Sequence, residues 1–452
     1  MRRLARLLLN FDENEILCRN SGTERSSCDG PPIAGIHLRC DERSRSVGVE
    51  RVPRVSPDVL KWARETAGLG LEEAAQKIAL HAARGKPAAT RLAALETGDV
   101  EPSRALLSRM AQQYRRPLLV FYLSQPPTKG NRGQDFRVLP ADAPQQQEAI
   151  LDAMIRTVLA RQALLRSALE EVEEGVRLPF VGSATMVQGV ASLVSALRNA
   201  LGISLDDFRR QQNPEDAFRL LRSRAESTGV FVLLLGNLGS HHTALGVDVF
   251  RGFALADPIA PFLVINDQDS RAAWSFTLVH ELAHLWLGET GISGGQPIRE
   301  LERFCNDIAS EFLLPARELA QFAATFPQDP SQLEITISEF ALARNISRSM
   351  VAYRLHREGL IGLSQWQLVS SAYRRAWIEQ RKRRREAARE QAGGPNYYTV
   401  RRHRIGDALL GTTARLLRTG AITTSKAARI LDVRPNNVGT LLGAGEPTSR
   451  AS

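Results

Sequence analysis

Helical periodicity dominates the pattern of apolar and polar residues along this chain. Apolar residues recur at three- and four-residue spacing over 145–172 and 194–221, and the pattern is helical again from Arg271 onward. Between these helical regions stand three β-rich stretches separated by turn residues, at 230–235, 244–249 and 261–265. We therefore expect a mostly α-helical α+β protein with one small antiparallel sheet.

Changes in composition divide the chain of 452 residues into five predicted segments. The first fifty residues lack periodicity and are interpreted as a disordered or mis-called extension, whereas closely spaced Pro and Gly after position 125 indicate a linker. The predicted segments are an extension at 1–50, a helical domain at 51–125, the linker at 126–140, a second domain at 141–365 and a basic helical region at 366–452.

The positive charge is concentrated in the last of these segments. The chain has a net charge of +10, and residues 371–452 contain 17 Lys or Arg against 6 Asp or Glu. No apolar run approaches the roughly 20 residues that a membrane-spanning helix needs. The start lacks a small-residue cleavage site, and the four cysteines match no compact metal site, so we expect a cytoplasmic protein without membrane contact.

The strongest chemical signal is the sequence His280-Glu281-Leu282-Ala283-His284. Residues four apart share one face of a helix, so both imidazoles can bind one Zn²⁺ ion. Glu281, beside the first histidine, is placed to take a proton from an attacking water molecule as a general base. The flanking residues are apolar almost all round, which predicts a buried helix. So short a pattern also arises in helices whose histidines are only packed and hydrogen-bonded.

A third ligand would separate these two interpretations, and a second helix around residues 299–315 offers several carboxylates. Glu302 is our choice because Asn306 and Ala309 lie on roughly its face, and a small alanine there allows two helices to approach closely. Glu300 and Glu311 fall on other faces. Each of these acids is equally compatible with a solvated helix surface, so the pattern alone favours Glu302 only modestly.

Several stretches around this motif resemble the ImmA/IrrE family of zinc metallopeptidases. The resemblance covers roughly residues 225–365 and is carried by 251–257, 260–266, 276–284, Glu302-x-x-Cys305-Asn306-x-x-Ala309 and 312–315. It implies a zincin-like core in which His280, His284 and Glu302 hold zinc and Glu281 is the general base. Cys305 departs from the family, which usually has Ala there, and we expect a small buried residue.

The resemblance also implies a substrate class, because members of the family cleave helix-turn-helix repressors of the Xre type. Such cleavage relieves repression of stress-response or mobile-element genes. We therefore expect a zinc endopeptidase with an Xre-type repressor as its substrate. The alternative is a DNA-binding regulator or antitoxin-like protein whose peptidase-like domain senses metal or a partner without cutting. The oxyanion-stabilising residue and the oligomeric state stay open; His241, His242, Tyr353 and several arginines are candidates for the former.

Residues 56–124 resemble an Xre-type helix-turn-helix module, in which a third helix would run from Pro87 to Gly98. Lys86, Thr90 and Arg91 are the candidate contacts to promoter DNA. The insert at 79–86 is longer than the tight turn of the motif, so a module for protein contacts is the alternative.

Two further segments, at 340–355 and 424–438, have a helix-turn-helix rhythm. The first belongs to the peptidase region in the family. The second lies in the basic tail, behind the run 381–385, where dense positive charge either attracts nucleic acid or covers a solvated helix face.

Overall fold

The computed structural model describes residues 54–127, 145–289, 296–326, 330–390 and 396–443. The predicted extension 1–50 and most of the predicted linker 126–140 lie outside these residues. The described residues form two compact units, one containing residues 54–127 and 145–153, the other beginning at Met154.

The first unit is helical. Its elements are α1 (Pro57–Glu65), α2 (Leu71–Lys77), α3 (Ala88–Glu96), α4 (Arg104–Gln113) and a 3-10 turn (Leu118–Tyr122). Arg64 links α1 to α3 through an ion pair with Glu96, with 2.7 Å between Nε and Oε1, and it donates to the carbonyl of Leu69. The predicted third helix corresponds to α3, which follows Pro87 and ends before Gly98, where φ is +85°.

The second unit contains all three strands of the described residues and the remaining helices. The long helix α5 (Gln145–Glu171) begins in the first unit and continues into the second. It is followed by α6 (Gly189–Leu201), α7 (Leu205–Arg209), α8 (Pro214–Ser227), β1 (Phe231–Leu234), β2 (Gly252–Leu255) and β3 (Phe262–Ile265). The later helices are α9 (Arg271–Leu287), α10 (Gln296–Leu313), α11 (Ala316–Ala323), α12 (Pro330–Leu342), α13 (Arg348–Arg357), α14 (Leu363–Glu390), α15 (Tyr397–Ile405), α16 (Asp407–Arg418), α17 (Thr424–Leu431) and α18 (Val438–Leu441).

The sheet is mixed, so the prediction of an antiparallel sheet was wrong for one of its two pairings. The strand order is β1-β3-β2, with β2 antiparallel to β3 and β1 parallel to β3. The strands are short, almost entirely apolar and almost completely buried. Such runs carry no alternation that would report strand direction, which is set by the path of the connection from β1 to β2.

The prediction of a strand at 244–249 is also wrong. The second strand along the chain is β2, which begins only at Gly252. The segment before β2 forms a loop whose carbonyls are bound by Asn266, at the end of β3. The amide of this fully buried residue donates to the carbonyls of Leu245 (3.2 Å) and Phe250 (2.9 Å). A side chain therefore satisfies backbone groups that a strand would have paired with a neighbour.

The two helices that matter most for the site pack directly against each other. Helix α9 contacts α10, α8, β2 and β3, and nearly every side chain from Ala273 to Trp286 is buried, as the sequence predicted. The helix ends at Gly288 in the left-handed region, with φ at +73°. Among the described residues, no helix combines the length and apolar character needed to cross a bilayer.

The basic region after residue 396 is folded against the sheet. Helices α15 and α16 contact β1, and α16 also contacts α8. The buried Arg222 of α8 fixes this contact, because it pairs with Glu226 (2.9 Å) and donates to the carbonyl of His403 (2.6 Å). Glu226 in turn accepts from the backbone N–H groups of Asp407 and Ala408.

Candidate metal centre

Three of the predicted site residues converge. The Nε2 atoms of His280 and His284 are 3.2 Å apart, and the carboxylate oxygens of Glu302 lie 3.4 Å and 3.1 Å from them, respectively. Among the described residues, this is the group of His, Cys, Asp and Glu side chains close enough together to hold a metal ion. The structure therefore places the predicted third ligand, on the second helix, beside the two histidines of the first.

These distances suit zinc. Zinc bonds of about 2.0–2.1 Å to nitrogen and oxygen, arranged as a tetrahedron, separate neighbouring ligand atoms by about 3.3 Å. The three measured separations lie close to this value, and two imidazoles with one carboxylate are a donor set that catalytic zinc sites use. The residues present thus fit a zinc ion with one coordination position left for water or substrate.

Local structure explains the arrangement. The histidines lie one helical turn apart on α9, and their ring centroids are 4.9 Å apart. Both are almost fully buried, whereas the Glu302 side chain on α10 is 18% exposed. The open side of the site is therefore the side of the carboxylate.

The electrostatics of the site depend on these contacts. Burial by itself would raise the pKa of Glu302, but hydrogen bonds from His280 and His284 hold it well below its ordinary value. Burial would lower the pKa of His284, but its contacts with Cys305 and Glu302 raise it well above the usual value. Both directions favour a protonated His284 beside an ionised Glu302 in the metal-free protein.

Glu281 is 5% exposed and faces the sheet, next to the first residue of β2. A Cβ atom added to Gly252 would lie 2.7 Å from Oε1 of Glu281 and 2.7 Å from Cγ2 of Thr277, with the Val264 carbonyl 2.9 Å away. Only glycine leaves room for this carboxylate. Sequence reasoning did not single out Gly252, although it lies in a stretch that carries the family resemblance.

Cys305 is a free, fully buried thiol on α10, as expected for a small buried residue. Burial raises its pKa, and it is in hydrogen-bonding contact with His284. It is not a member of the cluster of metal-binding donors found among the described residues. It therefore contacts His284, a member of the cluster, without adding a metal-binding group of its own.

The other candidate residues lie elsewhere in the chain. Lys86 and Thr90 are exposed in the first unit, and Arg91 donates to the carbonyl of His81. DNA contact by these three residues stays a prediction. Tyr353 is half-buried on α13, and His242 lies in a 3-10 turn before β2.

Comparison with known proteins gives a family match over the region that contains the candidate metal centre. Residues 239–356 match the family model described as the IrrE N-terminal-like domain, Peptidase_M78. No curated protein and no solved structure matches the chain. The matched residues, roughly a quarter of the chain, include both histidines and the carboxylate that converge in the structure. Residues 239–356 are therefore similar to the ImmA/IrrE family of metallopeptidases.

Proposed function

We propose that this protein is a zinc-dependent endopeptidase that cleaves an Xre-type transcriptional repressor and thereby controls stress-response or mobile-element genes. The observation that carries the proposal is the triangle of His280, His284 and Glu302, with Glu281 buried beside it, in a domain of a metallopeptidase family. The proposed compartment is the cytoplasm, where the Cys305 thiol would stay reduced.

The residues of this chain divide the chemistry between them. His280, His284 and Glu302 would hold the zinc ion, which supplies Lewis acidity toward the scissile carbonyl and the attacking water. Glu281 accepts a proton from that water and then delivers it to the nitrogen of the leaving amine. The low pKa of Glu302 keeps this carboxylate ionised, and so able to bind the metal, throughout the physiological pH range.

The sheet offers a place for an extended substrate. Strand β2 lies at an edge of the three-stranded sheet, and Gly252 at its start lies directly against Glu281. A peptide that pairs with the backbone of an edge strand presents its own carbonyls along that edge. We infer that the scissile bond would then lie within reach of Glu281.

Cleavage can be tested on the full chain together with the Xre-type repressor encoded beside its gene. We expect about one zinc per chain by elemental mass spectrometry and a defined repressor fragment on a gel. Glu281→Gln should retain the zinc and lose cleavage. Glu300→Gln is the matched control, because Glu300 is an exposed residue of α10.

The same experiment separates a peptidase from a regulator that does not cut. A Glu281→Gln variant that cuts the repressor as fast as the unmodified protein would overturn the proposed mechanism. A zinc-loaded protein that leaves the repressor intact, and whose effect on promoter activity is unchanged by Glu281→Gln, would favour the regulator.

A further inference from the structure

The end of the described chain forms a compact three-helix arrangement that the proposed peptidase chemistry does not use. Helix α16 packs against α17, and α17 packs against a 3-10 turn (Pro435–Asn437) that leads directly into α18. Thr423 caps α17 by accepting from the N–H of Lys426 at 3.2 Å. Only three residues, 432–434, separate α17 from the following turn of helix.

The turn has the length that is typical of a helix-turn-helix motif. Asp432 adopts the left-handed conformation with φ at +54°, and the N–H of Val433 donates to the carbonyl of Ala428 at 2.9 Å. The chain therefore leaves α17 sharply and starts the next helix at once, as in motifs joined by three or four residues. Apolar residues hold the helices together: Leu409, Leu416, Ile422, Ala427, Ala428, Ile430, Leu431, Val438 and Leu441, all buried.

The outward side of this arrangement is polar. We use the name exposed polar face for five of the exposed residues, Arg418, Arg429, Arg434, Asn436 and Thr440; Asp432, also exposed, pairs with Arg401. None of the exposed large apolar side chains among the described residues falls within 407–443. A protein partner that needs apolar or aromatic anchors would find none on this face.

The positive charges of this region divide into two groups. Residues 396–443 contain eight Lys or Arg and two Asp. Five of these cations hold the fold together. Arg401 pairs with Asp432, Arg404 with Asp267, Arg415 with Glu174 and Lys426 with Glu171, and Arg402 donates to the carbonyls of Thr440 and Leu441.

The remaining three cations are Arg418, Arg429 and Arg434. None of their guanidinium groups forms an ion pair or hydrogen bond with a described residue, and all three residues are exposed. They lie at the end of α16, on α17 and in the turn, which are three elements of one motif. Cations that pair with no acid among the described residues, carried by three elements of one motif, are available to phosphates.

The motif is also anchored firmly to the peptidase unit. Arg161 of α5, 2% exposed, donates from Nε to the carbonyl of Ile430 at 2.7 Å. Arg401 donates to the next carbonyl, that of Leu431, at 3.1 Å. The C-terminal end of α17 is therefore held by buried or half-buried guanidinium groups, so the exposed polar face keeps a fixed orientation on this unit.

We propose that residues 407–443 are a helix-turn-helix unit that binds double-stranded DNA through the exposed polar face. Arg418, Arg429 and Arg434 bind phosphates, and Asn436 and Thr440 reach base edges. The major groove of B-DNA, about 12 Å wide, admits a helix with such side chains. The major groove of duplex RNA is too narrow for side chains to read.

The first test measures binding of the full chain to a fluorescein-labelled 24-base-pair DNA duplex of arbitrary sequence at several KCl concentrations. The logarithm of the association constant should fall linearly with the logarithm of salt concentration. An Arg429→Ala/Arg434→Ala double variant should weaken binding and reduce the slope by about 2, one for each lost phosphate contact.

The matched control is Arg177→Ala/Arg224→Ala, which removes two exposed arginines from other parts of the same unit. This control should bind as the unmodified protein does. Circular dichroism should show unchanged folding of both double variants, because all four side chains lie at the surface. Unchanged affinity and slope in the Arg429→Ala/Arg434→Ala variant would overturn the proposal. Equal or tighter binding of a duplex RNA of the same sequence would also overturn it.

The second test concerns base recognition. Selection from randomised DNA duplexes with the full chain should enrich a motif. Asn436→Ala should reduce the preference for the selected base at one or two positions of the motif by roughly 5- to 100-fold. The dependence of the association constant on salt concentration should stay unchanged. A selected motif that Asn436→Ala and Thr440→Ala leave intact would contradict the assignment of the base-reading side chains.

Discussion

The proposed metal centre and the C-terminal helices, α15 to α18 (residues 396–443), both depend on charged side chains. The charged groups converge at the first and stand apart in the second. At the metal centre, two imidazoles and a carboxylate converge to within 3.4 Å of one another in a largely buried space. In the C-terminal helices, eight exposed or half-buried cations stand apart, and four of them pair with one acid each, at Glu171, Glu174, Asp267 and Asp432.

This difference follows from the environment. A buried ionisable group must be matched by another group, because leaving it alone costs several kcal/mol, whereas exposed ion pairs contribute about 0–1 kcal/mol each. One substitution at the metal centre should therefore remove a function. One substitution on the exposed polar face should only weaken the affinity for DNA.

The largest effect should come from the carboxylate ligand. Glu302→Gln removes the only negative charge of the proposed ligand set. Zinc affinity should therefore fall by more than about 100-fold, the largest loss typical of changing a residue that only hydrogen-bonds to a ligand. Competition with a chromophoric chelator measures this loss. Glu300→Gln, on the same helix, should leave zinc affinity unchanged, and equal affinities for both variants would contradict the assignment of Glu302.

A smaller loss is expected when the general base is displaced but the ligands are kept. Gly252→Ala places a methyl group where the Glu281 carboxylate lies, so the cleavage rate should fall by roughly 100-fold while zinc content is retained. Gly411→Ala is the control, because no atom lies within 4 Å of the added group there. Full cleavage activity of the Gly252→Ala variant would show that Glu281 does not need its observed position.

Helix α8, which packs against the C-terminal helix α16, contains one buried ion pair, and this pair tests the role of burial. Burial lowers the pKa of Arg222, and its partner Glu226 has a pKa raised by burial. Arg222→Ala should therefore destabilise the unit by about 3–5 kcal/mol, since it leaves Glu226 buried without its cation. Thermal unfolding measures the effect, and Arg219→Ala, which breaks an exposed ion pair with Asp216, should change stability by less than about 1 kcal/mol.

The smallest effect is a dependence on pH. The raised pKa of His284 stabilises the metal-free protein fully below the ordinary histidine pKa, and this contribution is lost as the pH rises through the raised value. Zinc needs the deprotonated ligands, so its affinity rises over the same range. The increase in Tm on adding zinc should therefore grow from pH 5 to pH 8. If the rise in Tm on adding zinc stayed constant or became smaller over this range, protonation of His284 in the metal-free protein would be contradicted.

Much of the metal centre was predictable because its strongest signal is local. The spacing of His280 and His284 places both rings on one side of any helix, and the apolar neighbours predict burial of that helix. The choice of Glu302 over Glu300 and Glu311 was only a modest preference from helical faces. Packing of α9 against α10 places Glu302 beside both imidazoles.

The sheet shows where sequence reasoning failed. Two of the three predicted strands exist, but the segment 244–249 forms a loop, in which Asn266 binds the carbonyl of Leu245 and, just after the segment, that of Phe250. The parallel pairing of β1 with β3 likewise depends on the route of the chain between them. Neither contact leaves a trace in the local alternation of apolar and polar residues.

The sequence by itself determined the helical character of this protein, the two histidines one turn apart, the neighbouring glutamate and the excess of positive charge near the C-terminus. These features depend on residues close together in the chain. Tertiary structure decided which carboxylate joins the histidines, why position 252 has no side chain, and which of the C-terminal arginines remain unpaired. Those outcomes depend on distances between segments far apart in sequence, and only the packing of the folded chain sets such distances.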